Sequence, residues 1–77
     1  MAINIITNKN EQREIARFIT LCLLSYSQAK NISESMAAKL FVQYDVTGFL
    51  YRHNETEGGL AMINIIEDID ELIANRK

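Results

Sequence analysis

The sequence predicts an all-α fold: a small bundle of three main helices plus one short helix, with a short extended N-terminal arm. Three observations carry that reading. Between Ile15 and Ala29, apolar residues Ile15, Phe18, Ile19, Cys22, Tyr26 and Ala29 recur at i, i+3, i+4, i+7, i+11 and i+14. At about 100° per residue they form one stripe of an α-helix. Near the other end, Met62, Ile65, Ile66, Ile69, Leu72 and Ile73 occupy an arc of about 120° on a second helix. Between these two, the stretch Ser33–Tyr44 repeats the same helical spacing with Met36, Ala37, Leu40, Phe41 and Tyr44.

Residues 1–7 (MAINIIT) are rich in β-branched side chains, which favours the extended arm. Residues 2–6 (AINII) resemble residues 62–66 (MINII), and two such segments could pair as a small sheet. Chance in an isoleucine-rich chain is the better account of the match. Asn8, three residues before Glu11, reads as a capping box for the first helix, and Asn10 is the competing cap. That helix runs to Ala29 or Lys30, where a cation suits the C-terminal dipole, and Asn31 breaks it. Ser33 caps the second helix, with Glu34 in its first turn. Asp45 or Thr47 starts a short third helix carrying Phe49, Leu50 and His53, weakened by Gly48. Residues 54–59 (NETEGG) read as a loop turned by Gly58 and Gly59. The last helix then begins near Leu60.

Seventy-seven residues (1–77) make one domain near the lower end of independent folding. A core this small rarely supplies more than roughly 3–5 kcal/mol, so such scaffolds usually carry a staple or a partner. Cys22 is the only cysteine and His53 the only histidine, which leaves neither a disulfide nor a Cys/His metal site. Oligomerisation is the remaining staple. A net charge of -2 argues against a general nucleic-acid or anionic-membrane binder. The segment Met1–Thr7 lacks the charged and long apolar regions of a signal peptide. Phe18–Leu24 is far shorter than the ~20 residues a bilayer span needs. A lone cysteine fits a reducing compartment, so the expected location is the cytoplasm.

No residue group spells out catalysis, and the expectation is that the chain is not an enzyme and uses no cofactor and no metal. Glu67, Asp68, Asp70 and Glu71 line the polar side of the last helix. A calcium loop needs irregular backbone and carbonyl ligands, so these acids read as a solvated face, or as a docking surface for a basic partner. His53 lacks an oriented neighbour, and Cys22 falls on the buried stripe as an inert thiol. Gly58-Gly59 lacks the lysine of a phosphate loop. Ser33–Asn54 has the outline of a helix-turn-helix, yet its second helix, TGFLYRHN, offers only Arg52 and His53 to a major groove. DNA binding is therefore the secondary reading. On the first helix, Arg17, Leu21, Leu24 and Gln28 form a second stripe opposite the core stripe. Two leucines together there predict a contact surface: either the N-terminal arm covers them, or two chains meet as a homodimer around a two-fold axis.

The segments ARFITLCLLSYSQAKNIS, AAKLFVQYDVTGFL and NIIEDIDELIANRK resemble a family of small bacterial proteins classed as a domain of unknown function. Its pattern, an apolar first helix, then Leu-Phe-x-x-Tyr-x-Val, then Ile-x-Glu-Asp-Ile-x-x-x-Ile, is met by Leu40, Phe41, Tyr44 and Val46. Its ending is met by Ile65 or Ile66, Glu67, Asp68, Ile69 and Ile73. The stretch His53–Glu57 departs from the family, which carries a Leu-His pair before its glycine loop. Members are often encoded beside ADP-ribosyltransferase-like genes in toxin–antitoxin-style arrangements. The resemblance therefore implies a partner-binding, antitoxin-like role and no catalytic residue. Together these readings make the chain a non-catalytic interaction module with a protein partner.

Overall fold

The computed structural model describes the backbone of residues 2–77 and the side chains of residues 12–77. Among these residues there are five helices: α1 (Ala2–Lys30), α2 (Glu34–Gln43), α3 (Val46–Arg52), α4 (Asn54–Gly58) and α5 (Met62–Arg76). The all-α class holds. The bundle has two short helices rather than one, because residues 54–58 coil into α4 instead of forming an open loop. Glu55 and Glu57 in its first turn suit a helix N-terminus, and glycine interrupts the segment only at its end.

The extended arm is not found: residues 2–7 continue α1, and the matched segments 2–6 and 62–66 are helical, not paired strands. Asn8 and Asn10 consequently lie inside the helix and neither starts it. No glycine or proline stands between residues 2 and 30 to stop the helix, and isoleucine costs only a few tenths of a kcal/mol relative to alanine. At 1.5 Å per residue, 29 residues span about 43 Å, which equals the molecule's longest dimension of 43 Å.

The C-terminus of α1 closes as predicted. Asn31 takes the left-handed conformation (φ 55°). The Ile32 amide donates to the Ser27 carbonyl at 3.0 Å and the Asn31 amide to Gln28 at 3.2 Å. This pair of bonds is a Schellman motif with asparagine in the place usually held by glycine. Ile32 then packs against the core. The Ser33 hydroxyl accepts the Met36 amide at 3.1 Å, the expected cap of α2.

A second left-handed residue, Asp45 (φ 52°), turns α2 directly into α3. Its carboxylate folds over the first turn of α3, where a β-carbon on residue 48 would come within 2.3 Å of it. Gly48 thus gives room to Asp45 where the sequence suggested only a weakness. Arg76, at the end of α5, donates to the Tyr44 carbonyl at 2.6 Å and ties the far end of the chain to this turn.

The core draws Cys22 and Tyr26 from α1, Ala37 and Phe41 from α2, Val46 and Leu50 from α3, and Ile65, Ile69 and Ile73 from α5. Phe18, Ile19, Leu23, Leu40, Tyr44, Phe49, Met62, Ile66 and Leu72 pack around it. Ala37 is fully buried, so α2 approaches closely at a side chain with no bulk. Three members of the predicted stripes fall outside this core. Ala29 is exposed, Met36 is 46 % exposed, and Ile15 lines a groove against α4.

At Asn31 the left-handed backbone makes a β-branched residue costly. Asn31→Val is expected to lower stability by about 1–2 kcal/mol, and Asn31→Gly to leave it unchanged or slightly raised. Urea denaturation followed by circular dichroism checks both.

Candidate functional site

The outer stripe of α1 is where the sequence places it. Arg17 and Gln28 are exposed, Leu21 is 56 % exposed and Leu24 is half-buried. Ala16, Arg17, Thr20 and Leu21 line a shallow, mainly apolar groove of about 380 Å³. Thr20 does not make this strip polar, because its hydroxyl donates back to the Ala16 carbonyl at 2.9 Å.

The four acids of α5 do not act as one group. Glu67 and Glu71 are exposed, as expected of a solvated face. Asp70 is half-buried between α1 and α5: it accepts the Tyr26 hydroxyl at 2.8 Å and pairs with Lys30. Burial first, then this hydrogen bond and the Asp70 charge, push the Tyr26 phenol up to about 12. Lys30 also sits 5.9 Å from the centre of the Tyr26 ring. Asp68 turns the other way, and its carboxylate acts on Glu57 of α4. Among the described residues no three His, Cys, Asp or Glu side chains converge to hold a metal ion.

Sequence reasoning missed Glu57. It was assigned to a loop, yet it is 4 % exposed, and its Oε1 has no hydrogen-bond partner among the described residues. Burial first, and then the Asp68 carboxylate, raise its carboxyl to about 7. Two carboxyl groups in contact share a proton more readily than they both ionise. The same burial, with the Glu57 charge adding to it, lifts the Cys22 thiol to about 11. Cys22 is thus an inert core thiol rather than a nucleophile. The amphipathic pattern of a five-residue helix is too short to betray such an acid. Only the absence of a proline or early glycine in residues 54–57 hinted that they coil.

His53 ends α3 on the surface, with its ring 4.9 Å from that of Phe49. Gly58 and Gly59 turn the chain towards α5 without left-handed backbone. In the helix-turn-helix segment, Arg52 lies against Asp45 at 3.4 Å, Leu50 is buried and Phe49 packs on the core. No helix of the described residues is long and apolar enough to cross a membrane.

With this geometry in place, the comparison with protein families is specific. Residues 17–76 match the family described as protein of unknown function (DUF3791), and the chain belongs to it. The match begins within the α1 stripe and takes in α2 to α5. No curated protein and no solved structure matches the chain.

The raised Glu57 carboxyl makes stability depend on pH. Its folded value lies above the ordinary 4.5, so its contribution is complete below that value and is lost as pH rises through about 7. Stability is expected to fall by up to about 3 kcal/mol across this window. Glu57→Gln should flatten the slope and be the more stable chain at pH 8, read from urea midpoints at pH 5 and 8. An unchanged slope would assign the effect to another group.

Proposed function

We propose that this chain is a non-catalytic protein–protein interaction module, working in the cytoplasm, whose contact surfaces are two exposed helix faces. The observation that carries this reading is the outer stripe of α1. Leu21 is 56 % exposed beside an apolar groove on a helix whose opposite side packs into the core through Phe18, Ile19, Cys22 and Tyr26. Contiguous apolar surface on so small a domain commonly marks a contact site. The acidic outer face of α5, with Glu67 and Glu71, is the second surface and suits a basic partner. The specific form of the reading, implied by the family resemblance, is an antitoxin-like partner of a neighbouring bacterial toxin-like enzyme.

The chemistry of the buried groups supports a non-catalytic role. The Cys22 thiol is buried and held protonated, and the neighbouring Glu57 charge raises it further rather than activating it. The DNA-binding reading has weaker support. Arg52 is engaged by Asp45, and α3, seven residues long, spends Val46 and Leu50 on the core.

Leu21→Glu tests the proposal, because the substitution changes an exposed position and should leave helicity intact. Immobilised wild type is expected to retain a toxin-like enzyme from the native lysate, identified by mass spectrometry, and the variant to lose at least nine-tenths of it, roughly 1.4 kcal/mol of binding. Recovery of the same proteins by both chains would remove the α1 stripe from the interface.

A further inference from the structure

We propose that a second copy of this chain is a partner for these faces: the outer stripe of α1 packs antiparallel along the outer stripe of α5 from the next copy. This inference rests on the interaction-module reading and names a partner for it. Arg13, Arg17 and Leu21 stand at i, i+4 and i+8 on α1, all exposed. Ile63, Glu67 and Glu71 stand at the same spacing on α5, also exposed, with Ile63 at 68 %. Residues four apart lie in one row on a helix, so the two rows have equal pitch.

Laid antiparallel, the rows match at every position. Leu21 meets Ile63, Arg17 meets Glu67 and Arg13 meets Glu71. Leu24, half-buried, stands beside Leu21 on α1, and Leu60, 38 % exposed, lies in the turn just before α5. Within one chain the ion pairs among the described residues engage Lys30, Arg52 and Arg76 with Asp70 and Asp45, and none of these four row charges. Laid parallel, the rows would put Arg13 on Ile63 and Leu21 on Glu71. Two α1 stripes meeting around a two-fold axis would set Arg17 against Gln28 and leave the acids of α5 unmatched.

Each part of the match has its own task. Surface ion pairs contribute little affinity, so the two Arg–Glu pairs fix register and direction. Burial of the apolar end, Leu21 with Ile63, provides the attraction. Both stripes lie on the far side of their helix from the shared core. In the proposed contact a pair of copies engages the α1 stripe of one and the α5 stripe of the other, which leaves one stripe of each free for a further copy. The contact is heterologous, and association runs head to tail.

Sedimentation equilibrium on the full chain tests this with Leu21→Glu and Ile63→Glu, both at exposed positions. Wild type is expected to gain mass with concentration beyond the dimer. Each variant alone should stay monomeric, having lost one of its two stripes. Mixed in equal amounts they should form a one-to-one pair and stop, because each retains the stripe the other lacks. As a guard against misfolding, Arg17→Glu and Glu67→Arg should each weaken association and restore it when combined in one chain. If Ile63→Glu associates like wild type while Leu21→Glu does not, the α1 stripes pair with each other and the inference is wrong. A wild type that stays monomeric at high micromolar concentration also overturns it. Loss of a captured enzyme with Leu21→Glu would then still uphold the interaction-module reading, so the two failures are separable.

Discussion

The contact between the inner side of α1 and the rest of the chain governs this structure. Cys22 and Tyr26 are buried at the middle of it, and both neighbours are shaped to reach them. Ala37, fully buried, brings α2 close enough for Phe41 to set its ring 5.8 Å from that of Tyr26 in a tilted arrangement. From α5, Ile65 and Ile69 close the opposite side of the core, and the Tyr26 hydroxyl finds Asp70. Tyrosine suits this position because its ring fills apolar space while its polar tip reaches the margin. There Lys30 completes the arrangement with Asp70. α3 and α4 are too short to persist alone and depend on what α1, α2 and α5 have assembled.

Two acids of the same helix show how placement decides chemistry. Asp70 faces a hydroxyl donor and an ammonium group, so its charge is answered. Asp68 faces another carboxyl group, and the buried partner, Glu57, takes up the strain by holding its proton to about pH 7. One helical step of two residues separates the pair, which turns one acid towards α1 and the other towards α4. Among the described residues, Glu57 is thus the one buried carboxyl group whose burial is not balanced by an opposite charge.

The parts of this fold legible in the sequence were those with long periodicity or strong local chemistry. The core stripes of α1 and α5, the Ser33 cap and the stop at Asn31 follow from spacing and from single residues whose side chains bond to the backbone. What was not legible depended on competing weak preferences or on tertiary contact. Isoleucines at residues 3, 5 and 6 suggested extension, but their cost in a helix is small beside the absence of any breaker before residue 31. The residues NETE looked like loop because they are polar, and α4 exists because Glu57 turns inward, a fact that no local pattern records. Gly48 looked like a defect until Asp45 was seen to fold its carboxylate over it. In the candidate surfaces, exposure of Leu21 was legible from its angle opposite the core stripe. The division of the acidic face was not, because it depends on Lys30, Tyr26 and Glu57 from other helices.

The same geometry explains why the outward surface of so small a domain is not simply polar. A long helix in a bundle with few neighbours can be covered on only one side, since α2 and α5 together occupy the inner face of α1. Replacing Leu21 or Ile63 by a charged residue would cost the isolated fold little, because neither contributes to the core. Retaining leucine and isoleucine at 56 % and 68 % exposure therefore has no evident benefit to the folded monomer. On the proposed reading their benefit lies in contact with another surface, and the rows in which they stand supply the charges that would orient it. A domain near the lower size limit for independent folding gains stability from such a contact as well as specificity. Binding the folded chain and not the unfolded one shifts the folding equilibrium by mass action. Under the proposed contact, interaction and stability would draw on the same few exposed apolar side chains.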